Sequence, residues 1–223
     1  MNALIRKATL LAVGALSVAG VTYAGVPSSA GSIQPPGVLL VGYWNPPDPR
    51  GTLTYTIRDA GLTPVGAGVQ VVINFSQCTD VRLCSTQSTG GTVSAAAKTF
   101  TGTTDGLSQV TMTIVGAGNN GGTPRAINAC ATVTAGGVAM NALIVATLDE
   151  SNSGGANGPD LTIWLGDFVA YAGGAGPYRG RSDFNLNVAV DGPDLTIYLG
   201  AFVEAAGGAG TGSVLSCGDI TIP

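Results

Sequence analysis

Apolar and polar positions alternate in short runs through the first two thirds of the chain, and the period changes in the last third. Leu53, Tyr55 and Ile57 alternate with Thr52, Thr54, Thr56 and Arg58, the pattern of a half-buried strand. Val69–Phe75 is rich in β-branched residues and Val110–Ile114 alternates again, so both are predicted strands. Val38–Tyr43 predicts a first strand, Val93–Phe100 a weaker one, and Ala126–Thr134 with Val138–Thr147 a closing hairpin around Ala135-Gly136-Gly137. Pro-rich residues 45–49, Asp59-Ala60-Gly61 with Pro64, Thr104-Asp105-Gly106 and a loop over Gly116–Pro124 punctuate them. Six or seven short strands at this spacing predict an antiparallel sandwich over residues 38–148.

From Leu161 the period is helical. Leu161, Trp164, Leu165, Phe168 and Val169 form one stripe, and Leu195, Tyr198, Leu199, Phe202 and Val203 repeat it 34 positions later. Such a stripe can serve a partner. In a module this small, the two are expected to pack on each other.

Each stripe follows an oxygen-rich loop. Calcium, a hard cation, takes about 6–8 oxygen ligands, and a 12-residue loop presents them at positions 1, 3, 5, 7, 9 and 12. The first loop offers Asp149, Ser151, Ser153, the Gly155 carbonyl, Asn157 and Asp160. The second offers Asp183, Asn185, Asn187, the Ala189 carbonyl, Asp191 and Asp194. Two calcium ions are expected. The first loop has two ligand carboxylates and the second three, which predicts tighter binding at the second. Position 6 requires a left-handed backbone, which Gly154 supplies without cost and Val188 does not.

Charge sharpens the division. Nine acids lie from Asp149 onward against Arg179 and Arg181 alone, whereas four acids face five bases between residues 25 and 148. Two bound calcium ions would offset most of this repulsion. Such an acidic chain does not present the basic face that nucleic acid requires.

Residues 1–24 read as a signal peptide: Arg6 and Lys7, an apolar run from Ala8 to Ala19, then a small-residue cleavage site ending at Ala19 or Ala24. The mature protein is therefore expected to be secreted or on the cell surface, with no membrane segment after signal removal. Residues 25–37 are expected to be a flexible leader. Four cysteines in an exported chain predict two disulfides, for which three pairings are possible. Cys78 and Cys84 are close enough to staple the intervening loop, leaving Cys130 with Cys217 to tie back a C-terminal strand over residues 213–223.

Catalysis is not expected. The chain has no His, so a His base is excluded. Its best-placed carboxylates belong to the loops. The Gly-Gly-Ala-Gly runs at 173–176 and 207–210 follow predicted helices and read as helix stops.

Two resemblances follow from particular residues. Thr54–Asp59 with Pro64–Val69, and Thr103-Thr104-Asp105-Gly106, resemble the turn and strand motifs of bacterial Ig-like (invasin-type) modules. That implies a spacer or adhesive stalk. Residues 149–205 are similar to a dockerin type I pair of F-hand repeats, with Asp rather than Glu at position 12. That resemblance implies two calcium ions and docking onto a cohesin-like partner or another extracellular protein. Positions 10 and 11, where the family often carries Ser or Thr for its partner, are Gly158-Pro159 and Gly192-Pro193 here. The expected fold is mainly β with a small α part: an antiparallel Ig-like β-sandwich followed by a dockerin-like pair over residues 149–212. The expected function is a secreted, non-catalytic, calcium-binding structural or adhesive protein; the alternative is a docking module in an extracellular assembly.

Overall fold

The computed structural model describes residues 25–42, 49–118, 128–173, 176, 178–207 and 217. The expected signal peptide lies outside the described residues, as does the C-terminal strand apart from Cys217. The chain is mainly β with two helices. Among the described residues, no helix is long and apolar enough to cross a membrane.

The largest sheet is five-stranded and antiparallel. Its centre is β3 (Gln70–Asn74), flanked by β6 (Thr99–Thr103) and β9 (Thr132–Ala135), with β5 (Thr92–Ser94) and β10 (Val138–Ala139) at the edges. Opposite it lies the antiparallel pair β2 (Thr52–Thr56) and β7 (Gln109–Thr113). Val71, Ile73, Phe100 and Val133 from the sheet join Leu53, Tyr55, Val110 and Met112 from the pair in one buried cluster. The alternation read in the sequence is thus the inward face of each layer.

Two aspartates staple the turns of this half. Asp59 Oδ1 accepts the N–H groups of Gly61 and Thr63, and Asp105 Oδ1 accepts those of Leu107 and Gln109. Thr104 Oγ1 donates to the Gly66 carbonyl at 2.8 Å and accepts from the Val69 N–H at 3.0 Å, stitching one turn to the next.

Several sequence expectations are corrected. The sheets are not all antiparallel: β1 (Gly37–Leu40) pairs in parallel with β11 (Ile144–Thr147). The closing hairpin is accordingly short, because the chain leaves β9–β10 to join β1 instead. The Val93–Phe100 strand is split into β5 and β6 by a turn. Gly116–Gly118, expected as loop, is strand β8, paired with β4 (Val81–Leu83). Only glycine fits at Gly118, since a Cβ there would lie 2.4 Å from the Glu150 carbonyl oxygen. The leader is pinned rather than loose. Ile33 exchanges two backbone hydrogen bonds with Thr56, the Ser28 N–H donates to the Arg58 carbonyl, and Gln34 Oε1 accepts the Asn141 N–H.

The parallel β1–β11 pair is a partition between two cores. Val38, Leu40, Leu143 and Val145 face the cluster between the sheets. Leu39, Val41, Ala146 and Leu148 face a second cluster, where they meet Trp164 and Phe168 of α1 (Gly158–Ala172) and Tyr198 and Ala201 of α2 (Gly192–Ala206). Burial on both faces explains why residues 38–41 form an unbroken apolar run rather than an alternating one.

The helix stripes therefore do not close on each other alone. Trp164 and Tyr198 are buried against the β half, while Leu165, Val169, Leu199, Phe202 and Val203 remain exposed. Arg50, just ahead of β2, forms a bidentate ion pair with Glu204 of α2.

The disulfides are Cys78–Cys130 and Cys84–Cys217, not the pairing expected from proximity in sequence. Cys78 and Cys130 lie in the first core and Cys84 and Cys217 in the second. Strand β4 runs between Cys78 and Cys84, and three extended residues advance the chain by about 10 Å, beyond the reach of a disulfide. Two disulfides point to an oxidising compartment.

Candidate metal centre

The first loop starts where β11 ends, with no linker. Gly118 N–H donates to the Asp149 carbonyl, so the sheet holds the loop at its first position. The second loop enters from a short 3-10 turn, Gly180–Ser182. Arg181 in that turn is buried and donates from Nε and one terminal nitrogen to the two oxygens of Asp80, at 3.0 and 2.8 Å. Its other terminal nitrogen donates to the Val145 carbonyl of β11.

Within the loops the same hydrogen bonds recur at the same positions. Asp149, position 1, accepts the N–H groups of Ser153 and Gly154. Asp183 accepts those of Asn187 and Val188. Asp160, position 12, accepts the N–H groups of Ser151 and Asn157; Asp194 accepts those of Asn185 and Asp191. Positions 4 and 6 are left-handed in both loops, with φ of 57° and 104° at Asn152 and Gly154, and 61° and 68° at Leu186 and Val188. In both loops the carboxylate at position 1 thus ties down the backbone of positions 5 and 6, and the carboxylate at position 12 that of positions 3 and 9.

Further hydrogen bonds link the other polar side chains within each loop. In the first loop Ser151 Oγ lies 2.6 Å from Ser153 Oγ, and Asn157 Nδ2 donates to Ser153 Oγ at 2.5 Å. Gly155 is buried. In the second, Asn187 N–H donates to Asn185 Oδ1, Asn187 Oδ1 accepts the Ala189 N–H, and Asn187 Nδ2 donates to Asp191 Oδ2 at 3.3 Å. Among the described residues no cluster of three or more His, Cys, Asp and Glu forms a metal site. The oxygens gathered here are instead a mixture of carboxylate, hydroxyl, amide and main-chain groups, a donor set suited to a hard cation.

Two features fit a cation in these loops. Asn157 Oδ1 and Asp191 Oδ1, both at position 9, are buried with no hydrogen-bond partner. Such oxygens are costly unless something else satisfies them. The carboxylates are also strongly desolvated. Burial, with the nearby charge of Asp160, pushes Asp149 up to about 7. Burial pushes Asp160 up to about 6 and raises Asp194 as well, despite the N–H groups each accepts. A divalent cation would hold these groups ionised.

The loops differ in setting. The first exposes only Gly158 and Pro159; the second exposes Asn187 and Val188 as well as Gly192 and Pro193. A cavity of about 270 Å³ opens beside the first, lined by Ser153–Asn157 and by Phe202, Ala205 and Ala206 of α2.

Sequence reasoning missed the supporting residues. Tyr178 donates its hydroxyl to Asp183 Oδ2, and burial with that bond raises its own pKa. Ser182 Oγ lies 2.8 Å from Glu150 Oε1 and 2.7 Å from Asp167 Oδ2. Only Arg181 left a trace in the sequence, as one of two bases in an acidic region.

Val188 gives a direct test of loop strain. A β-branched residue in the left-handed region costs about 1–2 kcal/mol, and Val188 is 58% exposed, so little packing offsets it. Glycine loses more entropy on folding, by about 0.5–1 kcal/mol. Val188→Gly is therefore expected to raise stability by about 0.5–1 kcal/mol in denaturant unfolding. Equal or lower stability would contradict the strain.

Comparison with known proteins returned no matching family model, no similar curated protein and no similar solved structure.

Proposed function

We propose that this is a secreted, non-catalytic, calcium-binding structural or adhesive protein, in which two calcium ions order the loops at 149–160 and 183–194. The observation that carries this reading is the recurrence, in both loops, of buried position-1 and position-12 carboxylates with an unpartnered buried oxygen at position 9. Asp149, Ser151, Ser153, the Gly155 carbonyl, Asn157 and Asp160 would hold one ion. Asp183, Asn185, Asn187, the Ala189 carbonyl, Asp191 and Asp194 would hold the other. The ions would hold ionised the carboxylates that burial drives toward protonation, Asp149 and Asp160 in one loop and Asp194 in the other. On this reading the β half is an Ig-like spacer, and the loop–helix repeats are a dockerin-like module built onto it. The shared second core and the Arg181–Asp80 pair favour a bracing role over a freely tethered module. Calorimetric titration of the chelator-treated protein is expected to show uptake of two calcium ions. No heat and no uptake at millimolar calcium would refute the reading.

A docking role is the second reading, favoured by the exposed apolar residues Leu165, Val169, Leu199, Phe202 and Val203 on the two helices. Positions 10 and 11 are exposed but offer only Gly-Pro, with no side-chain donor for a partner. Calcium-dependent capture of a cohesin-type module would decide for docking.

A further inference from the structure

We propose that the two loops are coupled binding sites, and that Trp164 and Tyr198 are the positioning residues that couple them. This rests on the calcium reading above and adds a route by which one site controls the other.

Trp164 and Tyr198 occupy equivalent places in the two repeats, 34 positions apart, and both are buried. Each directs its one polar hydrogen at the backbone of the other repeat. Trp164 Nε1 donates at 3.2 Å to the carbonyl of Ser182, the residue before Asp183 at position 1 of the second loop. The Tyr198 hydroxyl donates to the carbonyl of Asn157, position 9 of the first loop, whose side-chain oxygen is the unpartnered one. The contacts thus cross: each helix grows out of its own loop and holds the backbone beside a ligand of the other.

The helices transmit order because each begins inside its loop. Asp160 and Asp194, the position-12 carboxylates, lie in the first turn of α1 and α2. A filled loop fixes the start of its helix, and Trp164 and Tyr198 follow one turn later, four residues beyond. Ser182 is further tied to the first repeat through its hydroxyl, which sits between Glu150 and Asp167. A buried N–H or O–H that loses its acceptor costs more than the bond itself is worth. Disorder in one loop therefore removes an acceptor that the opposite helix needs.

The size of the effect follows from one hydrogen bond in each direction. Filling one loop should tighten the other by about 2- to 10-fold, and by linkage the factor is the same both ways.

The test is a site-resolved calcium titration of the full chain by NMR, following the amides of Gly154 and Val188, position 6 of each loop. Asp191→Ala, which removes a ligand from the second loop, should weaken calcium binding at Gly154 by about 2- to 10-fold. Asn157→Ala, which keeps the carbonyl, should weaken binding at Val188 by the same factor. In a Tyr198→Phe background the effect of Asp191→Ala on the first loop should shrink toward none. Should Tyr198→Phe lack a dispersed spectrum, Trp164→Phe serves as the background. If Asp191→Ala leaves the first loop's affinity unchanged in the parent, the coupling is overturned and the calcium reading stands. Undiminished coupling in both aromatic backgrounds overturns the assigned residues. If neither amide responds to calcium, both readings fall.

Discussion

Arg181→Met, with Asp80 left in place, is expected to destabilise the protein by about 3–5 kcal/mol. The guanidinium is 4% exposed and its partner carboxylate 9%, so neither can turn to water when the other is lost. The substitution leaves the buried Asp80 carboxylate without its ion-pair partner and also removes donors to the Val145 carbonyl and to Cys130 Sγ. The cost is thus the penalty of an uncompensated charge rather than the net worth of the pair. That distinction is checkable: Arg181→Met combined with Asp80→Leu should recover most of the loss, because two apolar side chains can replace a buried ion pair at little cost. Denaturant unfolding of the oxidised parent, single and double variants measures both. A loss below about 1 kcal/mol for the single variant, the range of a surface pair, would refute the burial argument. The effect should reach the second loop too, since Arg181 lies two residues before Asp183.

On the proposed calcium reading, chelation is expected to produce the second large effect. Ligand at one hundred times its Kd stabilises a protein by about 2.7 kcal/mol per site. Two filled loops would contribute about 5 kcal/mol, a shift of about 10–20 °C in Tm for a chain of this size. The pH dependence separates a metal effect from a general one. With chelator present, Asp149 titrates at about 7 in the folded protein and near 3.9 when unfolded. The folded state then binds more protons than the unfolded state between these values, so stability falls as pH rises from about 4 to 7. In calcium the slope should reverse across the same window, because protons compete with the metal for Asp149 and Asp160. Melting curves with and without chelator at pH 5 and 7.5 test this. A chelator-insensitive Tm at pH 7.5 would remove the calcium contribution.

Much of the local structure was legible in the chain. Strands β2 and β7 follow the alternation of Leu53 and Val110 with polar neighbours, and β3 follows the run of β-branched residues around Val71. Both helices start at their Gly-Pro pairs. The left-handed backbone at Gly154 and Val188 followed from loop position alone. Strand β8 escaped notice because Gly116-Ala117-Gly118 has no β-forming side chain; it is a strand only because β4 and the Glu150 carbonyl lie against it. The second core escaped too. Leu39 and Val41 read as part of a single apolar run, and nothing local says that alternate members serve different neighbours.

By itself, the sequence determined what depends on short separations: the strand and helix periods, the turns at Asp59 and Asp105, and two 12-residue loops with an oxygen at each side-chain ligand position. Only the tertiary structure decided what joins distant residues. Cys78 pairs across 52 residues and Cys84 across 133, against a preference for the near pairing that loop entropy alone would favour. The physical reason is the β1–β11 partition. It places the two cysteines nearest in sequence in different cores, and it makes one folded unit of two halves that composition and charge had set apart.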